Sequence, residues 1–151
     1  MGAQAERESA EEEWFELRLR VRYGETDQMG RAHHASYLHY LEDGRTRMMA
    51  ARGCSYAELE RRRIGLPVRS LDVRYKNAAA YDEELVVRTR VAGMRHASVT
   101  FEYEVVRAAD GLVVATAHTE LCCVDLAQDP PRPIALPPDL RSGVAPVLGA
   151  E

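Results

Sequence analysis

The feature that most constrains the fold is a single long amphipathic segment, residues 35–52, in a chain whose other regular segments resemble β-strands. Apolar residues recur in it at spacings of one helix face: Tyr37, Leu38, Leu41, Met48 and Ala51. Charged residues fall mostly on other faces: Glu42, Arg45 and Arg47. Gly44 costs about 1 kcal/mol relative to alanine in a helix, so we expect close packing against its backbone. The sequence thus predicts one helix, ended by Gly53 in the left-handed conformation.

Strand-like patterns precede and follow this helix. Before it, apolar residues alternate with charged ones at the period of a half-buried strand: Phe15, Leu17, Leu19, Val21 and Tyr23. After it, Ser55–Glu58 has the form of a capping box and predicts a short helix through Arg63. Runs rich in β-branched and aromatic residues then predict further strands: 71–76, 85–91, 99–106 and 112–124. Tight turns are expected at Arg95–Ser98 and at Ala109–Gly111. The proline-rich end, from Asp129, predicts an extended strap and a short helical turn.

This order of elements predicts an α+β fold in which an antiparallel sheet wraps one helix. One helix cannot cover both faces and all edges of such a sheet, so we expect at least a homodimer. The expected boundaries are a disordered acidic segment at 1–13, one domain at 14–142 and a flexible tail at 143–151.

Length, charge and hydropathy exclude several classes of protein. The 151 residues suffice for one domain. The first 13 residues carry the whole net charge of −4, so the remainder is balanced, unlike a nucleic-acid-binding protein. No apolar run approaches the roughly 18 residues of a membrane span. The acidic N-terminus lacks the apolar stretch of a secretory signal. We therefore expect a cytoplasmic protein with neither nucleic acid nor membrane as partner.

The densest group of reactive side chains lies at residues 23–37, between the first strand and the helix. Asp27 precedes His34 by seven residues across a glycine-containing turn. The free N–H groups of a helix N-terminus can stabilise an oxygen that gains negative charge, which is the minimum equipment for acyl transfer. An aspartate near a helix start is also often an N-cap, and a His-His pair is often packing. The residues alone leave both interpretations open.

Other chemistries have less support in the sequence. His34 and His39 are five residues apart, whereas ligands on one helix face are usually three or four apart, so no metal site is predicted. The three cysteines lack CxxC spacing, which indicates neither zinc nor a disulfide framework. The chain has no phosphate-binding GK[ST] element and no GxSxG nucleophile motif.

Residues 21–46, VRYGETDQMGRAHHASYLHYLEDGRT, resemble the signature of the 4-hydroxybenzoyl-CoA thioesterase-like branch of the hotdog superfamily. The family pattern is filled by these residues: Tyr23, Asp27, Gly30, His33, His34 and Tyr37. The similarity extends over about residues 14–142. The branch includes bacterial acyl-CoA thioesterases associated with the Tol-Pal envelope system. The resemblance implies a long helix wrapped by a five- or six-stranded antiparallel sheet. It also implies homodimers with the active site at their interface, often paired into homotetramers.

The resemblance implies roles for individual residues. Asp27 would be the catalytic carboxylate, as nucleophile or general base, while the His34 backbone N–H polarises the thioester carbonyl. The His34 side chain would orient the thioester or its water, and Tyr23 would position Asp27 or the water. An acyl-CoA or acyl-carrier-protein substrate, with no separate cofactor, would place its acyl group beside Tyr37, Tyr40 and Leu41. Ser98 would bind the pantetheine arm. Cations expected near the coenzyme A phosphates are Arg69, Arg74, Lys76, Arg88, Arg90 and Arg95.

Three alternatives remain beside this assignment. A different hotdog subclass uses a carboxylate from the helix, which makes Glu42 the second choice for the catalytic acid. Hotdog hydratases of enoyl thioesters use an Asp/His pair, but five residues apart and in a Gly-Asp-x-Asn-Pro context that this chain lacks. A hotdog protein that binds acyl thioesters without turnover is the third, and the intact Asp27 argues against it.

Overall fold

A five-stranded antiparallel sheet organises residues 14–144, the part of the chain that the computed structural model describes. The strands and helices have these bounds: β1 Phe15–Arg20, α1 Ser36–Ala51, α2 Tyr56–Arg61, β2 Ile64–Gly65, β3 Val68–Tyr75, β4 Glu84–Met94, β5 Ser98–Arg107, β6 Val113–Cys122, β7 Val124–Asp125, β8 Arg132–Pro133 and α3 Pro138–Val144. The main sheet has the order β1-β4-β5-β6-β3, and β2-β7-β8 form a small second sheet. These elements confirm the predicted α+β class.

Helix α1 packs across the inner face of the sheet, mainly over β4 and β1. A Cβ placed on Gly44 would lie 2.5 Å from Thr89 Oγ1 and 3.0 Å from Val87 Cγ1, which confirms the predicted close packing at this glycine. The core between the helix and the sheet consists of large, fully buried side chains from both: Tyr40, Leu41, Met48, Met49, Leu85, Val87, Phe101 and Tyr103.

The sequence pattern wrongly predicts which side of α1 is buried at three positions. Arg45 is buried, 6% exposed, whereas Leu38 is 40% exposed and Ala51 is also exposed. Arg45 follows the buried Leu41 by one turn, and its Nε donates to the Tyr56 hydroxyl at 3.2 Å. Because a buried guanidinium requires hydrogen-bond partners, this tyrosine makes the position tolerable for a charge.

The first strand ends earlier than its alternation predicts. β1 ends at Arg20, and residues 23–25 form a 3-10 turn instead. The Glu25 carboxylate accepts the Arg22 N–H at 2.8 Å, which draws the chain out of the strand direction. Tyr23 therefore lies in the turn, with its ring 80% exposed.

The predicted short elements are confirmed. Ser55 caps α2 by accepting the Glu58 N–H, the Arg95 N–H closes its turn on the Ser98 carbonyl, and a strap leads to α3. α3 reaches the buried Val144, two residues past the expected domain end at 142. The expected disordered segment at 1–13 and the tail from 145 lie outside the described residues. None of the helices in residues 14–144 is long and apolar enough to cross a membrane.

Candidate active site

An open groove of about 520 Å³ lies where the loop after β1, the start of α1 and the end of β3 meet. Its walls are formed by Asp27, Met29, Arg31, Ala32, His34, Tyr37, Tyr75, Lys76, Asn77 and Ala78. The sequence pattern at residues 23–37 supplies one side of this groove, and β3 with the residues after it supplies the other. The groove is therefore the candidate active site.

Asp27 is held in the groove wall by its own loop. Its Oδ1 accepts the Met29 N–H at 2.9 Å and the Arg31 N–H at 3.3 Å, while Gly30, at φ +72°, closes the turn. Its Oδ2 has no hydrogen-bond partner among residues 14–144. The Asp27 side chain caps its own loop and not α1, since the helix N-cap is Ala35. One carboxylate oxygen is thus fixed and the other is available to a ligand.

The His34 peptide N–H lies at the same groove, just before α1 begins. It donates to no protein acceptor within the described part of the chain, while its neighbours, the His33 and Ser36 N–H groups, donate to Glu25 and His33 carbonyls. A free N–H directly before the N-cap of a long helix is favourable for an oxygen that carries negative charge. The groove therefore combines an available carboxylate oxygen with an available amide donor.

Two tyrosines form the far wall of the groove. The rings of Tyr37 and Tyr75 meet edge to face with centroids 5.2 Å apart. The Tyr75 hydroxyl donates to the His34 carbonyl at 2.7 Å. Burial raises the pKa of both tyrosines above 10, so both hydroxyls are protonated at neutral pH. This wall is aromatic and hydrogen-bonded to the start of α1.

Glu25 connects the loop after β1 to the helix. Its Oε1 accepts the Tyr40 hydroxyl at 3.0 Å, and its carbonyl accepts the His33 N–H at 2.8 Å and the Ser36 hydroxyl at 2.9 Å. Burial and the neighbouring Glu25 raise the pKa of Tyr40, so this hydroxyl remains a donor. The sequence analysis did not single out Glu25, because a carboxylate in a loop gives no local sign of such partners.

The structure brings together four of the eight predicted site residues: Asp27, His34, Tyr37 and Lys76. Tyr23 lies outside the groove wall, its ring edge against Tyr81 at 5.7 Å. Ser98 begins β5 and is 7% exposed. Arg74 pairs with Thr116 on the outer face of the sheet, because side chains alternate along β3 and Tyr75 faces inward. Arg95 lies in the β4–β5 turn, away from the groove in this chain.

The other predicted cations are engaged on the outer face of the sheet. Arg88 pairs with Glu104 at 2.9 Å, and Arg90 pairs with Glu102 at 2.9 Å and lies 4.1 Å from the Trp14 ring. Arg69 lies 3.6 Å from Glu120. Glu42, the second choice for the catalytic acid, is 60% exposed, lies 3.6 Å from Arg45 and does not line the groove.

Sequence reasoning missed several groove residues: Met29, Arg31, Tyr75 and Asn77. Tyr75 fits the alternation of a strand, and only the fold shows that this strand ends beside the start of α1. Arg31 lies within residues 23–37, and its position four residues after Asp27 is the sequence feature that could have indicated a place in the groove. It adds a second cation to a groove that already holds Lys76.

The class of protein is defined by a long helix packed on a five-stranded antiparallel sheet, with a loop carboxylate near the start of the helix. Residues 21–144 match the family model of the thioesterase-like superfamily. The chain therefore belongs to the thioesterase-like superfamily, a family of hotdog-fold thioester hydrolases, which confirms the predicted resemblance.

Named relatives agree with this membership. The chain is 31% identical to the acyl-CoA thioesterase YbgC of Haemophilus influenzae, over 85% of this chain and 92% of that protein. It is 33% identical to the acyl-CoA thioester hydrolase YbgC of Escherichia coli, over 82% and 90%. A solved 4-hydroxybenzoyl CoA thioesterase variant, in complex with 4-hydroxybenzoyl CoA, superposes with a TM-score of 0.80 at 19% identity, covering 88% of this chain and 99% of that chain. This structure supports the hotdog fold.

Proposed function

We propose that this protein is an acyl-CoA thioesterase that hydrolyses an acyl thioester to the free acid and coenzyme A. The observation that carries the proposal is the joint presence, in one groove, of an Asp27 oxygen and a His34 N–H that have no hydrogen-bond partner within residues 14–144. The two relatives described above, both named as acyl-CoA thioester hydrolases, support the same reaction.

In the proposed reaction the thioester carbonyl oxygen accepts the His34 N–H. Negative charge develops on this oxygen in the tetrahedral intermediate, and the adjacent N-terminus of α1 favours that charge. The donor is part of the peptide backbone, so it needs no reorganisation during the reaction. In the proposed complex the carbonyl carbon faces Oδ2 of Asp27.

Asp27 then acts in one of two ways. As a nucleophile its Oδ2 attacks the carbonyl carbon, the C–S bond breaks, the coenzyme A thiolate leaves, and water hydrolyses the resulting anhydride. As a general base it takes a proton from a water, whose oxygen attacks the carbonyl carbon. The tetrahedral intermediate then collapses with cleavage of the C–S bond, and the coenzyme A thiolate takes up the proton from Asp27. Both routes use the same oxygen, so the same substitution tests both.

The groove also suggests how the substrate is held. Tyr37 and Tyr75 offer an aromatic wall to the acyl group, and Lys76 and Arg31 offer positive charge to coenzyme A phosphates. Ser98 would bind the pantetheine arm and Arg74 and Arg95 the phosphates of a substrate held by a second copy of the chain. Tyr23 would position Asp27 or its water. An acyl-carrier-protein thioester would present the same phosphopantetheine arm.

A homodimer completes the proposed site. Leu71, Val73 and Tyr75 face inward, paired with the buried Thr119, Ala117 and Ala115, whereas α1 packs mainly over β4 and β1. Leu71 and Tyr75 remain 46% and 49% exposed. A second copy joined along β3 would cover this surface, and pairs of dimers would give the proposed homotetramer.

Release of free thiol from a panel of acyl-CoA and acyl-carrier-protein thioesters tests the proposed reaction. We expect steady thiol release with at least one acyl-CoA and no loss of enoyl-CoA absorbance. Loss of enoyl absorbance without thiol release would instead identify a hydratase. Binding of acyl-CoA without either signal would identify a non-catalytic binding protein, and both results would contradict the proposal.

A further inference from the structure

The peptide group between His34 and Ala35 is held from both ends. Its carbonyl accepts the Tyr75 hydroxyl at 2.7 Å, and its N–H donates to Nδ1 of His33 at 3.1 Å. The preceding peptide is held through the His33 carbonyl, which accepts the Ser36 N–H at 2.9 Å. The His34 N–H, which belongs to this preceding peptide, has no acceptor within the described residues.

We propose that Tyr75 and His33 are positioning residues that fix the peptide groups around His34 and so aim its free N–H at the substrate carbonyl. The inference rests on the proposed function and deepens it, because it assigns the orientation of the amide donor to two side chains. A hydrogen-bond donor stabilises a developing oxyanion only when its direction is set before the reaction.

Tyr75 is well placed for this role because two separate elements fix its hydroxyl. Its backbone pairs with Ala115 of β6, and its ring packs edge to face on the buried Tyr37. The hydroxyl therefore reaches the His34 carbonyl from the end of β3. Loss of this hydroxyl leaves the carbonyl free to rotate with its peptide.

His33 fixes the other end through its ring. Nδ1 can accept the Ala35 N–H only in a neutral imidazole that carries its proton on Nε2. The ring also lies on the His34 ring, with centroids 4.1 Å apart. An asparagine side-chain oxygen can accept the N–H two residues further along, as in an Asx turn, whereas phenylalanine keeps a ring without an acceptor. His33→Asn and His33→Phe therefore separate hydrogen bonding from packing.

The test compares kcat and KM for thiol release in four variants: Tyr75→Phe, His33→Phe, His33→Asn and Tyr81→Phe. Tyr81→Phe is the matched control, because its hydroxyl is not part of the groove wall and its ring is 55% exposed. We expect Tyr75→Phe and His33→Phe to lower kcat about five- to tenfold, as the loss of one hydrogen bond allows, with KM within about twofold. His33→Asn should restore most of kcat, and Tyr81→Phe should match the wild type.

Unchanged kcat in both phenylalanine variants, or a change confined to KM, would overturn the inference. The same result in His33→Asn as in His33→Phe would overturn the role assigned to Nδ1. Thiol release by the wild type and by Asp27→Asn, measured in the same assay, distinguishes this failure from that of the proposed function. An inactive Asp27→Asn beside fully active Tyr75→Phe and His33→Phe removes only the positioning role. A fully active Asp27→Asn removes the catalytic role of Asp27, and a wild type that releases no thiol removes the proposed function itself.

Discussion

Two carboxylates of the same loop differ through their partners. Glu25 uses one oxygen to bind the Arg22 N–H and the Tyr40 hydroxyl, and so ties the loop to α1. Asp27 uses one oxygen for its own loop and keeps the other without a protein partner in the described residues. At the scale of single residues, the hydrogen bonds of each carboxylate thus distinguish one that stabilises the loop from one with an oxygen available to bind a substrate.

Buried hydroxyl and thiol groups make the free energy of unfolding depend on pH in the alkaline range. Burial raises the pKa of Cys123 from 9.0 to about 11, and burial is also the largest cause of the raised pKa values of Tyr40 and Tyr103. The folded state thus keeps protons that the unfolded state loses above about pH 9 for cysteine and pH 10 for tyrosine. These groups contribute their full stability below pH 9, and the contribution falls as the pH rises.

Urea unfolding at pH 8.0 and at pH 10.5 tests this expectation. The free energy of unfolding should be lower at pH 10.5, and the fall between the two pH values should be smaller in Cys123→Ala. Equal stability at the two pH values would contradict the assigned cause.

At the scale of elements, the contact between α1 and β4 depends on the absence of a side chain at Gly44. An alanine there would gain about 1 kcal/mol of helix propensity but would press on Thr89 and Val87. We expect Gly44→Ala to lower the free energy of unfolding by about 1–3 kcal/mol, the usual cost of overpacking. Gly93→Ala, which adds a methyl group with nothing within 4 Å, is the control and should change stability little. A Gly44→Ala protein as stable as the wild type would contradict this packing.

Periodicity predicts most of the elements, because each strand and helix repeats one local pattern. It is wrong where a tertiary partner changes the outcome. The Arg45 guanidinium is buried because the Tyr56 hydroxyl accepts its Nε–H, and Glu25 ends β1 before Tyr23. Neither partner is visible in the periodicity of the segment that it alters.

The candidate site is predictable on one side only. The motif containing Asp27, His34 and Tyr37 is contiguous, and a family resemblance assigns its residues together. The opposite wall comes from the end of β3, more than thirty-five residues later in the chain, and Tyr75 reaches His34 only through the sheet order. Alternation with Val73 and Tyr75 already places Arg74 on the polar face of β3, which in the fold is the outer face, away from the groove.

At the scale of the whole molecule, the two edges of the sheet differ. On β1, Arg18 and Arg20 pair with Glu84 and Asp82, which protects that edge by charge. On β3 the inward-facing Leu71 and Tyr75 stay 46% and 49% exposed. This asymmetry makes β3 the edge at which we expect a second copy to bind.

Sedimentation of Leu71→Asp tests that surface. A charge placed in an apolar interface should weaken dimerisation at least about tenfold, since an unpaired buried charge is costly. Leu112→Asp, at the β5–β6 hairpin and 38% exposed, is the matched control and should leave the dimer intact. A wild-type monomer, or an unchanged dimer in Leu71→Asp, would contradict the proposed interface.

The central claim concerns the carboxylate at position 27, and the most direct measurement is the rate of acyl-CoA hydrolysis by Asp27→Asn beside Glu42→Gln. The asparagine retains a side-chain oxygen for the Met29 and Arg31 N–H groups but cannot act as nucleophile or base. We predict that Asp27→Asn loses about 10²- to 10⁴-fold in kcat while Glu42→Gln stays near the wild type. A full rate in Asp27→Asn, or a loss confined to Glu42→Gln, would contradict the account.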